Sequence, residues 1–173
     1  EGEGESMVTR PPKTPMTVQH LLSHTAGLTY GGFLPGLELP VDAAYASAGI
    51  SRAGTDTLKE FVEKLAEVPL LYDPGSRWCY SLSTDVCGYL VEAISGQSFE
   101  SFLQERLFEP LDMPDTGFSV SDDQLDRFAA CYERAPDKSL RIQDDPEASR
   151  YRNSPRAPSG AGGLVGTVND YAN

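Results

Sequence analysis

A chain of 173 residues is long enough for one hydrophobic core and too short to divide comfortably into two. Its 14 Lys and Arg against 26 Asp and Glu leave a net charge of -12, which repels phosphate backbones and anionic membrane surfaces and disfavours nucleic-acid binding. With Gly counted and Tyr left out, about 44% of the chain is apolar, near the low edge of the globular range. Gly and Pro together are about 17%, below the level of low-complexity disorder, so long loops on a folded body are expected.

Residues 1–16 alternate Gly with Glu and then pass through Pro11, Pro12 and Pro15, which remove amide donors and exclude helix, leaving an extended lead-in. Thr17 can cap a short helix from Val18 to His24, with Val18, Leu21 and Leu22 at helical spacing and Gly27 where the chain must turn away. From Thr29 to Asp56 the sequence is rich in Gly, Ala, Pro and Tyr, with one possible helical turn at 42–48; irregular chain of that length predicts a functional flap. Thr57 to Glu60 is a capping box opening a helix whose stripe is Leu58, Phe61, Val62 and Leu65 and which ends before Pro69.

After the turn Asp73-Pro74-Gly75, a short aromatic strand is predicted to lead into a helix from Ser83 to Ser95, stopping at Gly96. Ser98 caps a third helix, Phe99 to Phe108, with Pro110 just past its end. Ser121 to Gln124 is another capping box, opening a short helix to about Phe128, and Ala129 to Ile142 reads as strand, turn, strand. The run from Ser159 to Thr167 is a glycine-rich loop, and Thr167 looks like the cap of a helix. That helix stops at Asn173 within its first turn, so both ends are expected to be cuts in a longer chain. The acidic surplus between Phe99 and Arg150 fits a solvated face, since Asp144-Asp145-Pro146 lacks the ligand pattern of a calcium loop.

Cys79, Cys87 and Cys131 are odd in number and lack the two-residue gap of a zinc knuckle or redox motif, so buried thiols are expected rather than bridges. No apolar run approaches the ~18 residues that span a bilayer. Residues at the third position before Lys13, Lys59, Lys64 and Lys138 are Arg10, Asp56, Phe61 and Ala135, so the chain holds no Ser-x-x-Lys. It holds no Gly-x-Ser-x-Gly either; Gly49-Ile50-Ser51-Arg52-Ala53 comes nearest. His20 and His24, four apart, share a helix face and can reach one metal, but Leu-Leu-Ser between them lacks a zinc hydrolase's glutamate. A local role in holding the helix exit and aiming the flap fits His24 better, and no metal or cofactor is expected.

Tyr80 stands at the mouth of the helix that follows it, where unpaired amides and the helix dipole favour negative charge. A tyrosine with its ordinary pKa of about 10 is a poor base at neutral pH and needs a nearby cation to become a better one. From spacing alone, a core tyrosine is the better reading of Tyr80.

Four ordered blocks, Thr17 to Leu28, Pro74 to Ser81, Phe108 to Thr116 and Ser159 to Thr167, resemble the serine beta-lactamase-related superfamily of class C beta-lactamases, family VIII carboxylesterases, transesterases and DD-peptidase-like proteins. The resemblance implies an α+β fold, here a helical subdomain plus flanking strands and incomplete. It divides 173 residues of one domain into a lead-in (1–16), a mainly helical part with a flap at 29–56 (17–128), and strands, active-site loop and helix start (129–173). It implies acylation of a Ser-x-x-Lys serine, assisted by a tyrosine that Tyr80 matches and by a late basic or histidine-glycine motif. Tyr30 and Trp78 would then line the acyl pocket beside Leu82, with Gly162 and Gly163 in the loop facing it.

Where the lactamase pattern has asparagine two residues after the tyrosine, this chain has Leu82, which leans toward esters over lactams. The nucleophile motif is expected before Glu1 and the basic motif after Asn173, so the 173 residues alone are expected to be inactive. As a piece of a larger layer, they are expected to leave the apolar faces of the Leu58–Leu65 and Val86–Ile94 helices exposed. The substrate implied is a small ester or lactam, with no nucleic acid or membrane partner. Beta-lactamase or peptidase-like amide hydrolysis, and a non-catalytic binding or scaffold protein of the same fold, are the alternatives.

Overall fold

The computed structural model describes residues 7–32, 39–50 and 56–173, which group into two compact units. The first comprises 1–99 with 156–162, the second 100–155 with 163–173. Parts of the predicted lead-in and flap, and of the Gly49–Ala53 stretch, lie outside the described residues.

In the first unit, α1 (Val18–Leu22) starts at a capping box in which His20 takes the place usual for Glu or Gln. The Thr17 hydroxyl accepts from the His20 amide and His20 Nδ1 accepts from the Thr17 amide, both at 3.3 Å. The helix ends two residues short of the sequence expectation because His24 adopts φ 53, which a right-handed helix cannot contain. α2 (Asp42–Ser47) is the helical turn anticipated in the flap. It buries Tyr45, whose hydroxyl accepts from the Thr29 amide at 3.1 Å and whose burial pushes its pKa up.

α3 (Leu58–Ala66) opens on the Thr57–Glu60 box, a cap whose loss costs about 1 kcal/mol. Contrary to the expectation of an exposed face, its Leu58, Phe61 and Leu65 are buried. Phe61 and Leu65 join Leu21, Val41, Tyr45 and Val86 in one core, and α3 packs on α4. α4 (Ser83–Ser95) ends where Gly96, at φ 73, returns its amide to the Glu92 carbonyl. It buries Val86 at its start, while Ile94 at its far end is 82% exposed, so only this helix keeps part of the open face expected.

Residues 77–81 form neither helix nor strand, where the sequence predicts a short aromatic strand. The amides of Leu71, Gly75, Cys79 and Leu82 donate to the carbonyls of Gly27, Thr25, His24 and Thr29. Those bonds fall every three or four residues, whereas a ladder needs one at every second residue. The segment is thus clasped along 24–29 without becoming a sheet.

The second unit begins in α5 (Phe99–Leu103), which unwinds into a π-helical turn at Gln104–Phe108 where one α-helix was expected. The Ser121 box opens a 3₁₀ helix, Asp122–Arg127. The predicted hairpin is present as β1 (Cys131–Arg134) and β2 (Leu140–Asp144), antiparallel with Tyr132 opposite Ile142, and it begins and ends two residues later than the sequence suggested. Cys131 lies exposed on β1 and so is not the buried thiol expected; Cys79 and Cys87 are half-buried, and all three are free. α6 (Val168–Ala172) is capped by Thr167 and buries Asp170, whose carboxylate accepts from the Asp115 amide and from the hydroxyls of Thr116 and Thr167. No helix among the described residues is long and apolar enough to cross a membrane.

Candidate active site

The clasp between 24–29 and 71–82 decides which side chains meet. By pinning Cys79 to His24 and Leu82 to Thr29, it lays Tyr80 beside two residues that precede it by fifty or more positions. The Tyr80 ring stacks on Tyr30, centroids 5.1 Å apart and planes 15° from parallel, and on Trp78 at 6.5 Å and 23°. His24 approaches the same ring at 4.8 Å with a 48° tilt, and the Trp78 ring edge-on at 6.4 Å. Tyr30 is buried, Trp78 is 64% exposed and Tyr80 is 44% exposed, so the cluster runs from the core to solvent. Three of the residues singled out in the sequence, Tyr30, Trp78 and Tyr80, are therefore one aromatic group, and Tyr80 is not a core tyrosine.

Leu82 belongs elsewhere. It has no exposed surface and lies in the core with Val86 and Leu28, at the turn into α4. Gly162 and Gly163 stand in open loop, where an added Cβ would meet nothing within 4 Å.

Under the cluster lies a polar layer that the sequence reading did not assemble. Ser81 and Ser83 are buried with their hydroxyl oxygens 2.7 Å apart. Both the Ser81 amide and its hydroxyl oxygen are 3.3 Å from His24 Nδ1. One turn into α4, the buried Asp85 carboxylate accepts from the Ser159 hydroxyl, which in turn accepts from the Ala161 amide, so the glycine-rich loop is tied to the helix start. Gly160 makes this possible: a Cβ there would collide with the Thr84 carbonyl. The other Asp85 oxygen, buried, has no hydrogen-bond partner among the described residues. The available sequence signals were an acidic residue in the first turn of a helix and a serine opening a glycine run, 74 residues apart.

His20 and His24 do not converge, since His20 Nδ1 serves the α1 cap and His24 has left the helix. Among the described residues, no group of three or more His, Cys, Asp or Glu is placed to hold a metal ion.

The beta-lactamase family profile matches residues 7–173. Esterase EstB of Burkholderia gladioli is 34% identical over 169 residues, covering 90% of this chain and 42% of that protein. Among solved structures, EstCE1, described as a hydrolase with promiscuous acyltransferase activity, superposes with a TM-score of 0.75 at 31% identity over 90% of this chain and 44% of its own. Simvastatin synthase (LovD) from Aspergillus terreus, unliganded, does so with a TM-score of 0.72 at 27% identity, over 99% of this chain and 41% of its own. The chain spans about two fifths of the length of the curated relatives it matches.

Proposed function

The chain belongs to the beta-lactamase family, and from that premise we propose that it is the central part of a serine hydrolase that cleaves small esters through an acyl-serine intermediate. Its helices and two-stranded hairpin match part of an α+β fold whose relatives include esterases and acyltransferases. In this reading the nucleophile is the serine of a Ser-x-x-Lys motif preceding Glu1, and both units belong to one catalytic domain.

Tyr80 assists proton transfer. The serine oxygen attacks the ester carbonyl, its proton passes to the Tyr80–lysine pair, and the departing alkoxide collects that proton as the alcohol is released. Water then attacks the acyl-serine, giving up a proton to the same pair, and the serine is restored as the acid departs. The lysine supplies the cation that a phenol needs to act as a base near neutral pH. Tyr30 and Trp78 form the wall that receives the acyl group, and the open position Gly162 allows the loop backbone to approach it. The observation that carries the reading is the half-exposed Tyr80 ring, held against Tyr30 and Trp78 at the entrance to α4.

Esters are favoured over lactams because the position of a lactam-binding amide is occupied by a buried leucine, Leu82. Resolution of the acyl group by an alcohol instead of water is a second outcome of the same chemistry, favoured by the acyltransferase descriptions of two relatives.

The test uses the full-length protein with p-nitrophenyl butyrate and nitrocefin. Tyr80→Phe should lower kcat on the ester by about 10²-fold or more, the range of general acid–base catalysis, with an unchanged Tm. An unaffected kcat overturns the assignment, and faster turnover of nitrocefin than of the ester overturns the choice of substrate.

A further inference from the structure

His24 is a non-glycine residue in the left-handed region, at φ 53, beside the cluster just described. That conformation costs an L-residue roughly 1–2 kcal/mol, which glycine avoids. Strain of this kind persists where surrounding structure holds it, and here the holding contacts can be named. The His24 carbonyl accepts from the Cys79 amide at 2.8 Å, fixing the backbone. Its ring is fixed separately. An amide can only donate, so the Ser81 N–H at 3.3 Å requires Nδ1 to carry a lone pair, which puts the proton of the neutral imidazole on Nε2. The Ser81 hydroxyl, itself paired with the buried Ser83 hydroxyl, lies at the same distance from that nitrogen. The oriented ring meets Tyr80 at 4.8 Å, closer between centroids than Tyr30 or Trp78.

We propose that His24 is a positioning residue for Tyr80: the Ser81–Ser83 pair orients the imidazole, and the imidazole sets the direction in which the Tyr80 phenol points. This rests on the reading of Tyr80 as a proton-transfer residue. The strained backbone at 24 is then the means by which the ring leaves α1 and reaches across to the segment before α4. Misplacement of a reacting group by about 1 Å can cost up to about 10²-fold in rate, so loss of one of the three ring contacts that described residues make on Tyr80 is expected to cost about tenfold.

The experiment is a double-mutant cycle in the full-length protein with p-nitrophenyl butyrate, using Tyr80→Phe, His24→Asn and the pair. Asparagine tolerates the left-handed conformation and offers a carbonyl oxygen to the Ser81 amide, so it removes the ring while keeping the backbone and its hydrogen bond. kcat is referred to active sites counted by the acyl burst, which removes any misfolded fraction from the comparison.

The expected result is an about tenfold fall in kcat for His24→Asn in the wild-type background and no further fall in the Tyr80→Phe background, because a residue acting through Tyr80 has nothing left to position. Equal losses in both backgrounds, as a general structural role would give, overturn the proposal. So does a wild-type kcat for His24→Asn. If Tyr80→Phe is itself without effect, the reading of Tyr80 falls and takes the inference with it, an outcome distinct from the other two.

Discussion

Gly160→Ala tests the docking of the glycine-rich loop on α4. A Cβ at Gly160 would stand well inside van der Waals contact of the Thr84 carbonyl oxygen and 3.0 Å from both the Thr84 carbonyl carbon and the Gly88 amide nitrogen. All three atoms are helix backbone, so α4 cannot yield without breaking its own hydrogen bonds, and the loop must move. Overpacking of this kind costs about 1–3 kcal/mol. Moving the loop also pulls the Ser159 hydroxyl from the buried Asp85 carboxylate, and a hydrogen bond to a charged group contributes about 1.5–3 kcal/mol. The expected loss is about 2.5–6 kcal/mol if both contacts go.

Urea unfolding of the full-length protein, followed by circular dichroism, measures it. Gly96→Ala is the reference, because Gly96 has φ 73 but open space around its Cβ, so it suffers only the roughly 1–2 kcal/mol of left-handed strain. A smaller loss for Gly160→Ala than for Gly96→Ala would refute the close approach.

Two further outcomes follow from the packing and the charge pairs. Leu82→Asn puts an amide into a site with no exposed surface and should cost about 2–5 kcal/mol in unfolding free energy; a change within about 0.5 kcal/mol, with an altered KM, would mean that Leu82 faces the substrate instead. Asp73 holds the lead-in through two bonds from the Arg10 guanidinium and one from the Lys13 amide, which keep its carboxyl well below the usual carboxylate range. A depressed carboxyl contributes stability that is full above the unfolded value near 4 and is lost as pH falls toward the folded one. The Tm difference between wild type and Asp73→Asn should therefore be larger at pH 6 than at pH 3, and a difference that grows on acidification would contradict the pairing.

What the sequence disclosed was local. Thr57 and Glu60 announce α3, Gly96 ends α4 and Thr167 caps α6, because each signal and its consequence lie within one helical turn. The aromatic site was legible as residues but not as an arrangement. Motif resemblance points to Tyr30 and Tyr80, whereas their stacking depends on amides at 79 and 82 finding carbonyls at 24 and 29.

α-Helical spacing from Thr17 extends to His24, and nothing in that spacing reveals a left-handed exit. The place of Leu82 two residues after Tyr80 says nothing of its complete burial, which depends on Val86 and Leu28 packing around it. The α3 stripe was expected to lie open because the chain reads as a piece of a larger layer. Instead, Tyr45 and Val41, from a segment with weak periodicity, share its core. The Asp85–Ser159 tie joins residues 74 apart, and neither local signal, an acid in a helix's first turn or a serine opening a glycine run, points to the other.

The central claim is that this chain shapes the acyl site while the nucleophile stands before it in sequence. Peptide mapping by mass spectrometry, after a brief acid quench of the full-length protein with p-nitrophenyl butyrate, tests that most directly. The account predicts one butyryl group on the serine of a Ser-x-x-Lys preceding Glu1, formed more slowly in Tyr80→Phe, and none on any serine between Glu1 and Asn173. A butyryl group on a serine within those 173 residues, or steady turnover with no acyl-serine at any time, would contradict it.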